Sequence, residues 1–109
     1  LAKIDLEFRS IPNAYTLSQN YPNPFNPVTT ISFSVPQNGV ETQHTVSLQI
    51  FDITGRLIKT LIDEELEPGD HAIQWNTEGS FGKPVSAGIY LYQIRTAGFV
   101  QTKKMVLLK

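Results

Sequence analysis

Two histidines, a short acidic run, scattered serines and a set of aromatic rings are the side chains able to do chemistry in this sequence. A metal site needs ligands clustered at fixed spacing, yet His44 and His71 stand far apart with no second histidine or cysteine beside either. A serine hydrolase needs its nucleophile on a sharp turn within reach of a histidine and a carboxylate, and no serine here sits in a Gly-x-Ser-x-Gly context. The run Asp63, Glu64, Glu65, Glu67 and Asp70 offers oxygens to calcium, but it lacks the alternating Asp/Asn pattern with a central glycine of a loop that curls around the ion. It reads as a solvated acidic loop. Tyr15, Tyr21, Phe25, Phe81 and Phe99 fall outside the core pattern, and exposed rings in line are how sandwich modules grip sugars. Tyr21 and Phe25 flank prolines, however, where rings commonly cap the end of a sandwich. These residues point to no catalytic group, no cofactor and no metal.

Composition closes further classes. A formal charge of −1 with 17% charged residues gives no field for nucleic acid or anionic lipid. The apolar stretches are a few residues long, far below the roughly 20 needed to span a bilayer. Absence of cysteine removes thiol nucleophiles and disulfide-stapled scaffolds. At 109 residues the expectation is one domain with one core. The chain opens on Leu1 without a signal sequence, so it reads as a piece of a longer secreted protein.

Positioning falls to strands. Ile4, Leu6 and Phe8 alternate with charged residues up to Ile11-Pro12, so residues 1–14 read as an edge strand or the tail of an upstream linker. Tyr21, Pro22, Asn23, Pro24, Phe25, Asn26 and Pro27 place three prolines in seven residues, which excludes a helix or a central strand. Thr30–Val35 and Val46–Phe51 then alternate with a period of two. Asp52-Ile53-Thr54-Gly55-Arg56 turns the chain into a partner strand, Leu57–Ile62. His71, Ile73 and Trp75 share one face of another strand. Gly88–Thr96 and Phe99–Leu108 pair across Ala97-Gly98. The expected fold is all-β, a seven-stranded immunoglobulin-like or fibronectin III-like antiparallel β-sandwich spanning 15–109. Its interior is expected to hold Ile31, Phe33, Leu48, Ile50, Ile58, Leu61, Ile73, Trp75, Tyr90, Tyr92, Ile94, Val106 and Leu108. On physics alone the proline segment reads equally as an inter-domain elbow or as a recognition signal.

The stretch Leu17-Ser18-Gln19-Asn20-Tyr21-Pro22-Asn23-Pro24-Phe25-Asn26-Pro27-Val28-Thr29-Thr30-Ile31 resembles the opening signature of the type A C-terminal sorting domains of the type IX secretion system. The resemblance continues through Phe51–Arg56, Gly69–Trp75, Ser86–Tyr90 and Lys103–Lys109, about residues 15–109 in all. The middle is also similar to the immunoglobulin-like domain of flagellar hook-capping proteins. Two departures stand out: Pro36 to Val46 is longer than the family's turn, and Asn76 stands where Trp-Asp is common.

The resemblance implies a non-catalytic sorting and surface-attachment signal, appended to upstream cargo domains of the same chain. Its partners would be an outer-membrane translocon and a surface sortase, and its destination the cell surface or the extracellular space. The family's functional residues carry over to Gly88 and Tyr90 of a Gly-x-Tyr element and to the tail Lys103, Lys104, Met105, Val106, Leu107, Leu108 and Lys109. The alternative is an accessory carbohydrate-binding or spacer module of a secreted glycoside hydrolase or protease.

Overall fold

The alternation at Ile31, Phe33 and Val35 produces a strand in which every second residue is buried. Such a face must be covered, and a second sheet covers it. The computed structural model describes residues 14–37, 44–80 and 82–108. Among them the strands are β1 (Thr16–Leu17), β2 (Thr29–Val35), β3 (His44–Asp52), β4 (Leu57–Leu66), β5 (Gly69–Trp75), β6 (Gly88–Arg95) and β7 (Val100–Leu107). β1, β2 and β5 form a three-stranded sheet, and a four-stranded sheet runs β4-β3-β6-β7. Every neighbouring pair within the sheets is antiparallel. The architecture is the expected β-sandwich.

Between the sheets lies one apolar layer. Leu17, Ile31, Phe33, Val35 and Trp75 enter it from the smaller sheet, and Val46, Leu48, Ile50, Ile62, Tyr90, Tyr92, Ile94, Met105 and Leu107 from the larger. Each such side chain contributes about 1.5–3 kcal/mol when fully withdrawn from water. The β3–β4 hairpin closes at Gly55, whose φ of +92° is one that L side chains rarely adopt. Asp52 fastens the same turn by accepting hydrogen bonds from the Thr54 and Arg56 amides at 2.9 and 3.0 Å.

Several expected positions differ. The expected strand before Pro12 and the linker to residue 14 lie, apart from Ala14 itself, outside the described residues, as do 38–43 of the long connection, Phe81 and Lys109. The first described strand is instead Thr16–Leu17. His44, two residues before the expected start at Val46, opens β3. The acidic run is no loop: Asp63, Glu64 and Glu65 extend β4, and Asp70 belongs to β5 in the other sheet. Only Glu67 and Pro68 are left to cross between the sheets. In β4 the buried residue is Ile62, while Ile58 and Leu61 are half-buried. Irregularities beside Leu48/Gln49 and Ile50/Phe51 each insert one extra residue in β4 and reverse its facing. Ile73 is half-buried on the small sheet.

The largest difference is in β7. Met105 and Leu107 point inward, Val106 is half-buried and Leu108 is 52% exposed, the reverse of the expected facing. Met105-Val106-Leu107-Leu108 is apolar at every position, so alternation cannot select a phase. Pairing of Met105 with the inward-facing Tyr90 does.

Candidate functional site at the edge of the last strand

β7 is an edge strand, and the backbone groups of its even-numbered residues point away from β6. An edge of this kind invites a partner. Part of it is already occupied. The Gln19 Nε2 donates to the Lys104 carbonyl at 2.8 Å, and the Val106 amide donates to Asn23 Oδ1 at 3.0 Å. The Phe25 amide donates to the Val106 carbonyl at 3.0 Å, and the Leu108 amide donates to the Phe25 carbonyl at 2.9 Å. Phe25 thus pairs with Leu107 in a parallel bridge. Proline has no amide hydrogen, so the segment cannot continue that bridge into a ladder. It supplies one backbone pair at Phe25 and the carboxamides of Gln19 and Asn23 instead.

The Phe25 ring anchors this contact. It is 2% exposed, with its centroid 6.0 Å from that of Trp75, whose ring in turn meets Tyr90 edge-on at 5.7 Å. The Trp75 Nε1 donates to the Glu78 carbonyl at 2.9 Å and the Tyr90 hydroxyl to the Ser86 carbonyl at 2.6 Å. Burial, with the Asp52 carboxylate nearby as a lesser cause, raises the Tyr90 pKa above its usual range. Gly88, opposite Leu107, has φ +147°, a conformation that favours glycine. Tyr21, Pro22, Asn23, Pro24, Asn26 and Pro27 are all exposed around the inserted ring, Tyr21 at 79%. The capping role expected of both rings therefore belongs to Phe25 alone.

A polar network that apolar periodicity did not reveal ties the proline segment to the core. Asn20 is 2% exposed, and its amide donates to the Tyr92 hydroxyl at 2.8 Å. That hydroxyl donates to the Ser18 carbonyl at 2.7 Å. The Asn20 Nδ2 donates to Thr29 Oγ1 at 2.9 Å and to the Pro22 carbonyl at 3.2 Å, while Thr29 Oγ1 donates to the same carbonyl at 2.9 Å. Thr29 shares the parity of Ile31, Phe33 and Val35, so its inward facing was legible in the sequence. The burial of Asn20 was not, because nothing in an alternating pattern marks a buried amide.

Burial pushes the Tyr92 pKa up to about 12, from a usual value of 10.0. The folded state therefore favours the neutral phenol. Its contribution to stability is full below the unfolded-state value and is lost as pH rises through about 12. Alkaline titration should show the domain losing stability above pH 10.0, and Tyr92→Phe should flatten that decline while lowering stability near neutrality. An alkaline limb equally steep in the variant would show that another group governs it.

The segments expected to matter are thus brought to one end of the sandwich: Phe25 of the proline motif, Trp75, Gly88, Tyr90, and the tail from Lys104 to Leu108. Lys103 lies half-buried one residue upstream of Lys104 on β7. Among the described residues there is no group of three His, Cys, Asp or Glu residues fit to hold a metal ion. The arrangement can bind a strand or an apolar surface. Residues 19–108 match the family described as the secretion system C-terminal sorting domain. The chain belongs to this family of sorting domains. It carries a sorting signal for protein secretion.

Solved structures agree with the fold of this sorting domain. It is similar to dimeric latent PorU from Porphyromonas gingivalis, at 22% identity and TM-score 0.69 over 87% of this chain and 9% of that one. It is similar to PorZ of the same bacterium, described as an essential surface component of the type-IX secretion system. That match has 22% identity and TM-score 0.54 over 88% of this chain and 12% of that one. FlgD from Xanthomonas campestris, a protein of flagellar hook capping, matches at 15% identity and TM-score 0.55 over 93% of this chain and 72% of that one. The sorting domain thus spans about a tenth of the length of the two secretion-related chains. No curated protein sequence matches it.

Proposed function

We infer that this sorting domain, residues 15–109, directs upstream cargo of the same chain through the type IX secretion machinery and across the outer membrane. An outer-membrane translocon reads it, and a surface sortase then handles the cargo at the cell surface. The domain performs no catalysis itself. The observation that supports this reading is the family match over residues 19–108, together with the proline motif held through Asn23 and Phe25 on the edge of the last strand. Trp75, 1% exposed, is not available as a sugar-binding platform.

Lys103, Lys104 and Lys109 are the candidate readers' contacts on the tail. Changing all three to glutamine should alter stability by less than about 1 kcal/mol, because glutamine keeps much of the stem of the half-buried Lys103 and the charge of the exposed Lys104 contributes little. A reporter fused to this triple variant is expected to stay in the periplasm of a type IX-secreting bacterium while the wild-type fusion reaches the surface. If the folded variant is exported and anchored like the wild type, positive charge on the tail is not what is read.

A further inference from the structure

The outer face of the four-stranded sheet changes character halfway along. In its first half the cross-strand rows are polar apart from the exposed Val100 at the edge, as solvated antiparallel faces usually are. Thr60, Gln49, Gln93 and Thr102 lie in one such row. Gln49 Nε2 donates to Thr60 Oγ1 at 3.2 Å, and Gln93 Nε2 donates to Thr102 Oγ1 at 2.9 Å. The very next outward row is Leu57, Phe51, Leu91 and Lys104, and beyond it Ile89 pairs with Val106. Leu108 follows. Leu57, Ile89 and Leu108 are 45%, 39% and 52% exposed, so water meets a continuous apolar surface at the end of the sheet where the proline motif holds the tail. A patch of this kind marks an interaction site.

Its charge selects the occupant. Lys104 is the cation set within the apolar rows, and Arg56 at the rim is held by Asp52 at 3.2 Å. Among the described residues of this half-face that single free cation is too few for an anionic membrane surface, where clusters of about 4–8 basic residues are needed. A second copy fits poorly too. The nearby Asp52 carboxylate already accepts from Thr54 and Arg56, so two such faces packed together would bury Lys104 without a counter-charge. We propose that this half-face is the docking surface for a protein component of the export machinery that presents an apolar patch with a carboxylate opposite Lys104. The proposal rests on the sorting reading above and adds where, and by what chemistry, the domain is gripped.

The test is export of a reporter fused to the full chain in a type IX-secreting bacterium. Ile89→Thr with Leu91→Thr keeps β-forming residues on a solvent face, and the melting temperature should not move. Surface delivery should fall about tenfold or more, as loss of interface anchors does. Leu108→Ser, beyond the last strand, should reduce export in the same direction, and Lys104→Glu should do so more than Lys104→Gln. Gln49→Thr with Gln93→Thr, on the polar half, should be exported like wild type. Wild-type export by the folded Ile89/Leu91 variant would overturn the docking face alone, whereas a wild-type fusion retained in the periplasm would overturn the sorting reading itself. Concentration-dependent dimers that the Ile89/Leu91 variant abolishes would reassign the face to a second copy. Co-sedimentation of the wild-type chain, but not this variant, with phosphatidylglycerol vesicles would reassign it to the membrane.

Discussion

Trp75→Ala should lower the stability of this domain by about 3–5 kcal/mol, the range seen when a large buried aromatic is truncated. The indole is fully enclosed between the sheets and touches rings from two other segments, Phe25 and Tyr90. Removing it leaves a cavity whose walls are separate strands, so no single side chain can collapse into the space. It also strips the Glu78 carbonyl of the Nε1 donor. Domains of this size are stable by roughly 5–15 kcal/mol, so the variant should sit close to its unfolding threshold at growth temperature. Urea melts monitored by circular dichroism measure the loss directly. A change under about 1 kcal/mol would mean that the ring contributes far less than its burial requires.

Phe25→Ala is expected to be nearly as severe, about 3–5 kcal/mol by the same argument, but its consequence is local in a way that Trp75→Ala is not. Among the described residues Phe25 alone of the proline motif bonds the β7 tail through its backbone, and its buried ring anchors that backbone. Without the ring, the amides of Val106 and Leu108 lose the partners that shield them from water, whereas those of Met105 and Leu107 still face β6. Hydrogen exchange should therefore accelerate at Val106 and Leu108 well beyond its acceleration at Met105 and Leu107. Equal acceleration at all four amides would show that the domain simply unfolds more often. Unchanged protection would show that the tail is held without the ring. The same variant bears on function, because a tail released from Phe25 presents its outer edge to solvent instead of to the proline motif.

That contact shows how differently the two ends of β7 are treated. From Lys104 onward the outward backbone groups are taken by Gln19, Asn23 and Phe25, while Thr102, of the same parity, has no strand beside it among the described residues. Among the described residues the backbone edge is therefore covered towards Leu108 and free further back along β7. The proline motif, read equally as elbow or signal from its composition, is neither free spacer nor free ligand. It is a clamp built from one backbone pair, one buried ring and a network of buried amide and hydroxyl groups around Asn20.

What the residues determined by themselves was the set of elements. Alternation at Ile31–Phe33–Val35 and at Val46–Leu48–Ile50 admits one facing only, because the reverse facing would bury serine and glutamine and expose the apolar set. Gly55, in the turn that Asp52 opens, determined the hairpin, and the proline run excluded itself from any ladder. The length and type of those motifs were also enough to indicate the sorting family. Pattern could not decide facing where every position is apolar, as from Met105 to Leu108, nor where an inserted residue resets the period, as at Ile58 and Leu61 in β4. In both places the neighbouring strand chose, through backbone hydrogen bonds that have no counterpart in the order of side chains. Nor could it place Phe25 against Trp75, Asn20 beneath Tyr92, or the apolar rows of the outer face side by side. Each of these joins residues distant along the chain, and it was the closing of one sheet over the other, driven by burial of their common interior, that brought them together.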